Sequence, residues 1–152
     1  MRESISIKGD LKLIFCNVKT GALRVFDYHN MVVTAGKNSI ADGLRGTTEN
    51  NKGIITYCAV GTGTVAPALA DVQLQTELTR KLISVRSLNG KTANFKTFFN
   101  TSEANGTLRE AGLFGDDASS TANSGTLFCR VAINRVKSVS ETLTISWDVT
   151  IG

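Results

Sequence analysis

One histidine, one proline and one tryptophan occur in 152 residues, beside only three cysteines. Acid–base chemistry resting on histidine would have to use His29 alone, between Tyr28 and Asn30, where a hydrogen-bonded or solvated ring is the expected state. A zinc centre lacks both a second histidine and a Cys-x-x-Cys pair. Cys16, Cys58 and Cys129 are odd in number, far apart and set in apolar runs, which excludes a disulfide framework and points to buried free thiols. No apolar run approaches the roughly 18 residues needed to cross a bilayer, and the first residues lack the apolar core of a signal peptide. The chain is expected to stay in the cytosol of the cell that makes it, with no membrane partner.

What is present describes an ordinary globular domain. The length suits a single domain, residues 1–152, able to bury a sizeable core. A hydrophobic share of 41% with 20% charged residues carries no signature of disorder. The net charge of +4 is spread from Arg2 to Lys137 along strand-like segments, without the aromatic platform of an RNA-binding sheet. Nucleic acid is therefore not an expected partner.

Period-two patterning dominates. In "ETLTISWDVTI", Leu143, Ile145, Trp147, Val149 and Ile151 alternate with polar residues, as in a strand with one wet face. "TLFCRVAIN" places Leu127, Cys129, Val131 and Ile133 on one side and Phe128, Arg130, Ala132 and Asn134 on the other. "TANFKTFFN", "KLISVRSL", "TLREAGLFG", "IITYCAVG", "ALRVFDYHN", "LKLIFCN" and "SISIKG" supply the remaining candidates, with turn residues at Lys19-Thr20-Gly21, Asn89-Gly90 and Asn105-Gly106. Two segments read as helical: "TAGKNSIADGLRG", capped by Thr34 and ended by Gly46, and "ADVQLQTEL", capped by Asp71. The expected class is all-β with minor α, an antiparallel β-sandwich or jelly-roll of about nine strands with one or two short helices in connections. "GDDASSTANSG", residues 115–125, reads as a mobile polar loop.

One stretch imitates a cofactor site. Gly61-Thr62-Gly63-Thr64-Val65-Ala66 follows an apolar run and spells G-x-G-x-x-A, the turn that holds a dinucleotide pyrophosphate. Pro67 falls where the required helix should be under way, and Arg80 and Lys81 stand where an acidic residue belongs about 20 positions on. A Walker loop fails for want of Gly-Lys-Ser/Thr. Asp116-Asp117 could help to hold calcium but reads better as a solvated acidic loop, and no pair among the 13 acids is singled out for glycoside hydrolysis. No enzyme, cofactor or metal is expected.

Five stretches, "NMVVTAGKNSIADGL" (30–44), "YCAVGTGTVAPALADVQLQTELTR" (57–80), "FFNTSEANGTLREAGLFG" (98–115), "GTLFCRVAI" (125–133) and "SETLTISWDVTI" (140–151), together resemble small structural proteins of tailed bacteriophages. They also look like the N-terminal domain of phage tail-collar fibres, in which a Gly-Thr-Gly loop with proline precedes a Leu-x-x-Glu-Leu-x-Arg stretch and a later Arg-Glu-Ala-Gly-Leu-Phe segment. This chain shows no heptads and no fibre shaft. The resemblance therefore implies a non-enzymatic virion component, first a capsid decoration (cement) protein that binds the assembled head through the major capsid protein. A tail, baseplate or tail-fibre adaptor is the alternative, and a carbohydrate-binding adhesion module a second. A homotrimer would match threefold lattice positions and multiply each contact. Ala111 and Gly112 would allow another backbone to come close. Arg80, Glu110, Leu113 and Phe114 are the candidate subunit contacts, with burial in the chain's own core as the other reading of the two apolar ones. Glu77 and Arg80 would form an ion pair if a helical turn continued through them.

Overall fold

The computed structural model describes residues 2–46 and 52–152. Among these residues, nine strands and one helix follow in the order β1 (Ile7–Asn17), β2 (Leu23–Val32), α1 (Thr34–Leu44), β3 (Ile55–Gly61), β4 (Glu77–Leu82), β5 (Val85–Asn89), β6 (Thr92–Phe99), β7 (Gly106–Gly115), β8 (Thr126–Lys137) and β9 (Glu141–Ile151). The strands form one sheet ordered β4-β3-β7-β8-β2-β1-β9-β6-β5, antiparallel throughout. The all-β reading is correct.

Two features curl this sheet into a sandwich. Strand β2 pairs with β1 from Leu23 to Asn30 but passes to β8 at Met31 and Val32, so it belongs to both halves. At the other end, the short link from β4 to β5 joins the two outermost strands: the Ile83 amide donates to the Thr56 carbonyl of β3 at 2.9 Å and the Ser84 amide to the Lys96 carbonyl of β6 at 2.8 Å. The inner faces then meet. Leu11, Leu13, Phe15, Phe99, Leu143, Ile145 and Trp147 of one half share a buried cluster with Cys58, Val60, Leu108, Leu113, Val131 and Ile133 of the other. Each large side chain buried this way contributes roughly 1.5–3 kcal/mol relative to exposure. The indole N–H of Trp147 donates to the Cys58 sulfur at 3.4 Å, which satisfies its only polar atom across the core.

The strand count agrees with the sequence, yet by two compensating errors. "SISIKG" and "LKLIFCN" merge into the single strand β1, since nothing between them breaks the extended backbone. "KLISVRSL" instead divides at Ile83 and Ser84 between β4 and β5, which sit at opposite ends of the strand order. The β9 alternation holds at Leu143, Ile145, Trp147 and Val149, while Ile151 lies exposed at the strand end. In β8 the pairing shifts between Leu113↔Cys129 and Phe114↔Leu127, so Phe128 is the extra residue of a bulge. Phe128 thereby joins the main core and Leu127 turns to the opposite face.

Helix α1 forms as expected, but Val33 is its N-cap with no side-chain bond, and Thr34 is its first helical residue. Gly46 follows the Arg45 C-cap at φ 70°, the left-handed conformation that ends a helix. The second expected helix is absent. Residues 70–76 form turns, and the chain from Glu77 is strand β4. The backbone amides of Gln75 and Thr76 are held by a carboxylate of β7, and those of the next residues enter the β3 ladder. Tertiary pairing thus overrides the local pattern.

Candidate functional site

The outer faces of the two halves differ. Over β3, β7 and β8, a second apolar cluster of Val33, Ala59, Leu74, Phe114 and Leu127 is roofed by α1 and by the two loops that the sequence singled out, residues 62–76 and 116–125. Each loop is fastened by its own buried ion cluster.

The first cluster centres on Glu110 of β7, which is 1% exposed. Its Oε1 accepts hydrogen bonds from the backbone amides of Gly63 at 3.0 Å and Thr76 at 2.7 Å; its Oε2 accepts from the Gln75 amide at 2.9 Å and from Arg130 Nε at 3.0 Å. Arg130 Nη2 reaches the same oxygen at 2.8 Å and also donates to the Val65 carbonyl, while Nη1 donates to Asp71 Oδ2 at 2.7 Å. Asp71 accepts from the Ala68 amide at 2.9 Å. Partial burial opposes its ionisation, but the Ala68 amide and Arg130 prevail and hold its carboxyl below the usual carboxylate range. Every turn of the 62–76 loop is therefore tied to one buried network.

This geometry explains the glycines. A Cβ built on Gly61 would overlap the Thr76 carbonyl and the Glu110 carboxylate, and one on Gly63 would overlap Glu110 and Gln75. Glycine is needed for close approach, as in a phosphate-binding loop, and backbone amides with an arginine do surround an anion here. That anion is the protein's own Glu110. The Gly-Thr-Gly motif is an internal carboxylate cradle.

The second cluster joins Glu77 and Arg80. The two pair through Nε to Oε1 at 2.6 Å and Nη2 to Oε2 at 2.8 Å, with both side chains 2% exposed. A strand should send residues three apart to opposite faces, but the pairing passes from Val60↔Thr79 to Gly61↔Glu77, and this bulge restores them to one face. A bulged strand thus supplies the ion pair in place of the expected helical turn. Arg80 Nη1 donates to the carbonyls of Ser119 and Ser124, Glu77 accepts from the Asn123 amide, and the guanidinium lies 4.3 Å over the Phe114 ring. Residues 116–125 are pinned rather than loose. Asp116 is buried, accepting from Ser39 Oγ at 2.7 Å and the Gly53 amide at 2.8 Å, so it is not the solvated loop residue expected.

The four candidate subunit contacts are placed as follows. Arg80 and Phe114 come together, Glu110 sits in the separate Arg130 network, and Leu113 belongs to the main core. All four side chains are buried within the chain's own fold, the other reading given for Leu113 and Phe114. Gly112 does permit a close approach, but of its own neighbours: a Cβ there would meet the Cys129 carbonyl, Leu127 and Leu74 at 3.0 Å. Sequence inspection missed Arg130 as the partner of Glu110 and Asp71 as the second acid on Arg130. The one available signal was a charged residue inside the apolar run "LFCRVAI".

The first loop also leaves apolar side chains outside. Val65, Leu69 and Val72 of the first loop are 56%, 52% and 65% exposed. The Leu69 carbonyl accepts from the Thr34 amide, so this loop is also fixed to the start of α1. His29 pairs with Asp10 on the other outer face. No helix among the described residues is long and apolar enough to cross a membrane, and no group of potential metal ligands occurs among them. Comparison with protein-family models, curated proteins and solved structures gives no match.

Proposed function

We propose that this protein is a non-enzymatic structural component of a bacteriophage virion, a decoration protein seated on the assembled capsid. The observation that carries this reading is the use made of its buried charge. Glu110, Arg130, Asp71, Glu77 and Arg80 are spent on holding two surface loops in one shape, and the first of those loops shows three apolar side chains to solvent. A preformed loop loses little conformational entropy on docking, so its apolar contacts convert more fully into affinity. The likeness of the same stretches to phage structural proteins supplies the particle.

Binding the assembled shell better than free subunits would stabilise the head by mass action. A threefold arrangement of copies would add multivalency, and the positive charge would complement an acidic capsid exterior. Quantitative mass spectrometry of purified particles tests the assignment. Hundreds of copies per particle are expected, one per lattice position; about 3 to 12 copies, the numbers of a closed ring, would replace decoration by the tail or baseplate adaptor.

A further inference from the structure

The uncovered outer face of the other half carries a trough of about 880 Å³. Its lining includes residues of β2 and β5, the two outermost strands of this half, as well as the central β1, β9 and β6. A face whose far strands line the same depression is concave. Four strand spacings of about 4.8 Å make it roughly 19 Å wide.

Register orders the side chains on its floor. One row across the five strands is His29, Asp10, Asp148, Asn94 and Ser87; the next, two residues along each strand, is Asp27, Lys12, Ser146, Lys96 and Val85. At the centre, the first row offers carboxylates and an amide, and the second offers ammonium groups around a hydroxyl. The rows lie about 7 Å apart. Asn94 Nδ2 donates to Asp148 Oδ1 at 2.6 Å and to Ser146 Oγ at 3.0 Å, which fixes the middle of both rows. Lys96 has no salt-bridge partner among the described residues.

Carboxylates only accept hydrogen bonds and ammonium groups only donate them. A ligand lying between such rows must do both at close intervals. The interleaved signs, three carboxylates against two ammonium groups, also disfavour a ligand with strong charge of its own. Hydroxyl groups donate and accept, and carry no charge. From this we infer that the trough is a binding site for a short neutral oligosaccharide, held by Asp10, Asp148, Asn94, Lys12 and Lys96. The inference does not depend on the virion assignment.

Nitrogen-15 NMR titration of the intact protein with maltohexaose, laminarihexaose, chitohexaose and mannohexaose tests it, with a heparin hexasaccharide as the charged comparison. At least one neutral sugar is expected to shift the amides of residues 10–12, 94–96 and 146–148 with saturation. Asn94→Ala and Asp148→Ala should each weaken that binding roughly tenfold or more, and Arg109→Ala, on the far half, should leave it unchanged. Lys96→Gln, at an exposed position, serves if either of the first two fails to fold. Absence of shifts with all four neutral sugars, shifts confined to heparin and erased by salt, or equal binding by the trough variants would each overturn the assignment.

Discussion

Replacing Glu110 with glutamine keeps the size of the side chain and removes one acceptor atom and the charge. In the native protein the two oxygens accept three backbone amides and two nitrogens of Arg130, so each oxygen faces only donors. The NH₂ group of the substituted side chain must then point a donor at donors, whichever way it turns. If it takes the Oε2 position, the Gln75 amide loses its partner, worth about 1–3 kcal/mol for a buried donor, and Arg130 keeps only Asp71 and the Val65 carbonyl. Breaking a buried pair by removing one partner costs about 3–5 kcal/mol. The expected loss is therefore about 3–5 kcal/mol, which for a chain of this length lowers Tm by roughly 6–20 °C. Urea unfolding and calorimetry measure the loss, and hydrogen exchange of the Gly63, Gln75 and Thr76 amides localises it to the loop. Glu103→Gln gives the contrast, because the Lys81–Glu103 pair is about one-third exposed on each side and should contribute no more than about 1 kcal/mol. A Glu110→Gln protein within about 1 kcal/mol of the native one, or one whose three loop amides stay protected, would refute the cradle as the determinant of loop order.

Two further outcomes follow from burial and charge. Burial raises the Cys58 thiol to about 12, against the hydrogen bond from Trp147, and raises Cys129 further still, whereas Cys16 is only half-buried on the outer face; maleimide should therefore label Cys16 in the folded protein, with Cys58 and Cys129 reacting only on unfolding, as peptide mass mapping would reveal. The carboxyls of Asp71, Glu103 and Glu141 are all held low, Asp71 and Glu141 against burial by backbone amides and arginine, Glu103 by Lys81 and the Asn100 amide. Their contribution is present above the ordinary carboxylate range and is lost as pH falls through it, so thermal stability should decline below about pH 4; a Tm that rises on acidification through that range would contradict these ion pairs.

The fold was legible where one periodicity governed one element. Strand β9 announces its buried face because each alternate position meets the same core, and α1 is bounded by its terminal Gly46. Errors arose where an extra residue changed parity or where a distant group captured the backbone. Nothing local to "TLFCRVAIN" shows that Phe128 will bulge, because the shift belongs to its pairing with β7. Nothing local to "ADVQLQTEL" shows that Glu110, far along the chain, will take the amides of Gln75 and Thr76 and prevent a helix. The burial of two charged candidates was hidden for a related reason. Arg80 and Glu110 look like surface charges in sequence, and only three-dimensional neighbours reveal that they are buried and paired.

The two outer faces make separate demands on any partner. Over β3, β7 and β8, buried charge is used to immobilise loops that leave Val65, Leu69 and Val72 outside, and binding through those three side chains would be driven by apolar burial. Over β5, β6, β9, β1 and β2, charge has been left outside in ordered rows, and binding would rest on hydrogen bonds to groups already in place. Because the loops roof one outer face and the trough lies on the other, a surface gripped through the loops would leave the trough open to solvent. A protein that decorated a capsid by the first face would present the second outward. Particles carrying it should then retain the sugar response of the isolated protein, and loss of that response on the particle would mean that the trough itself faces the shell.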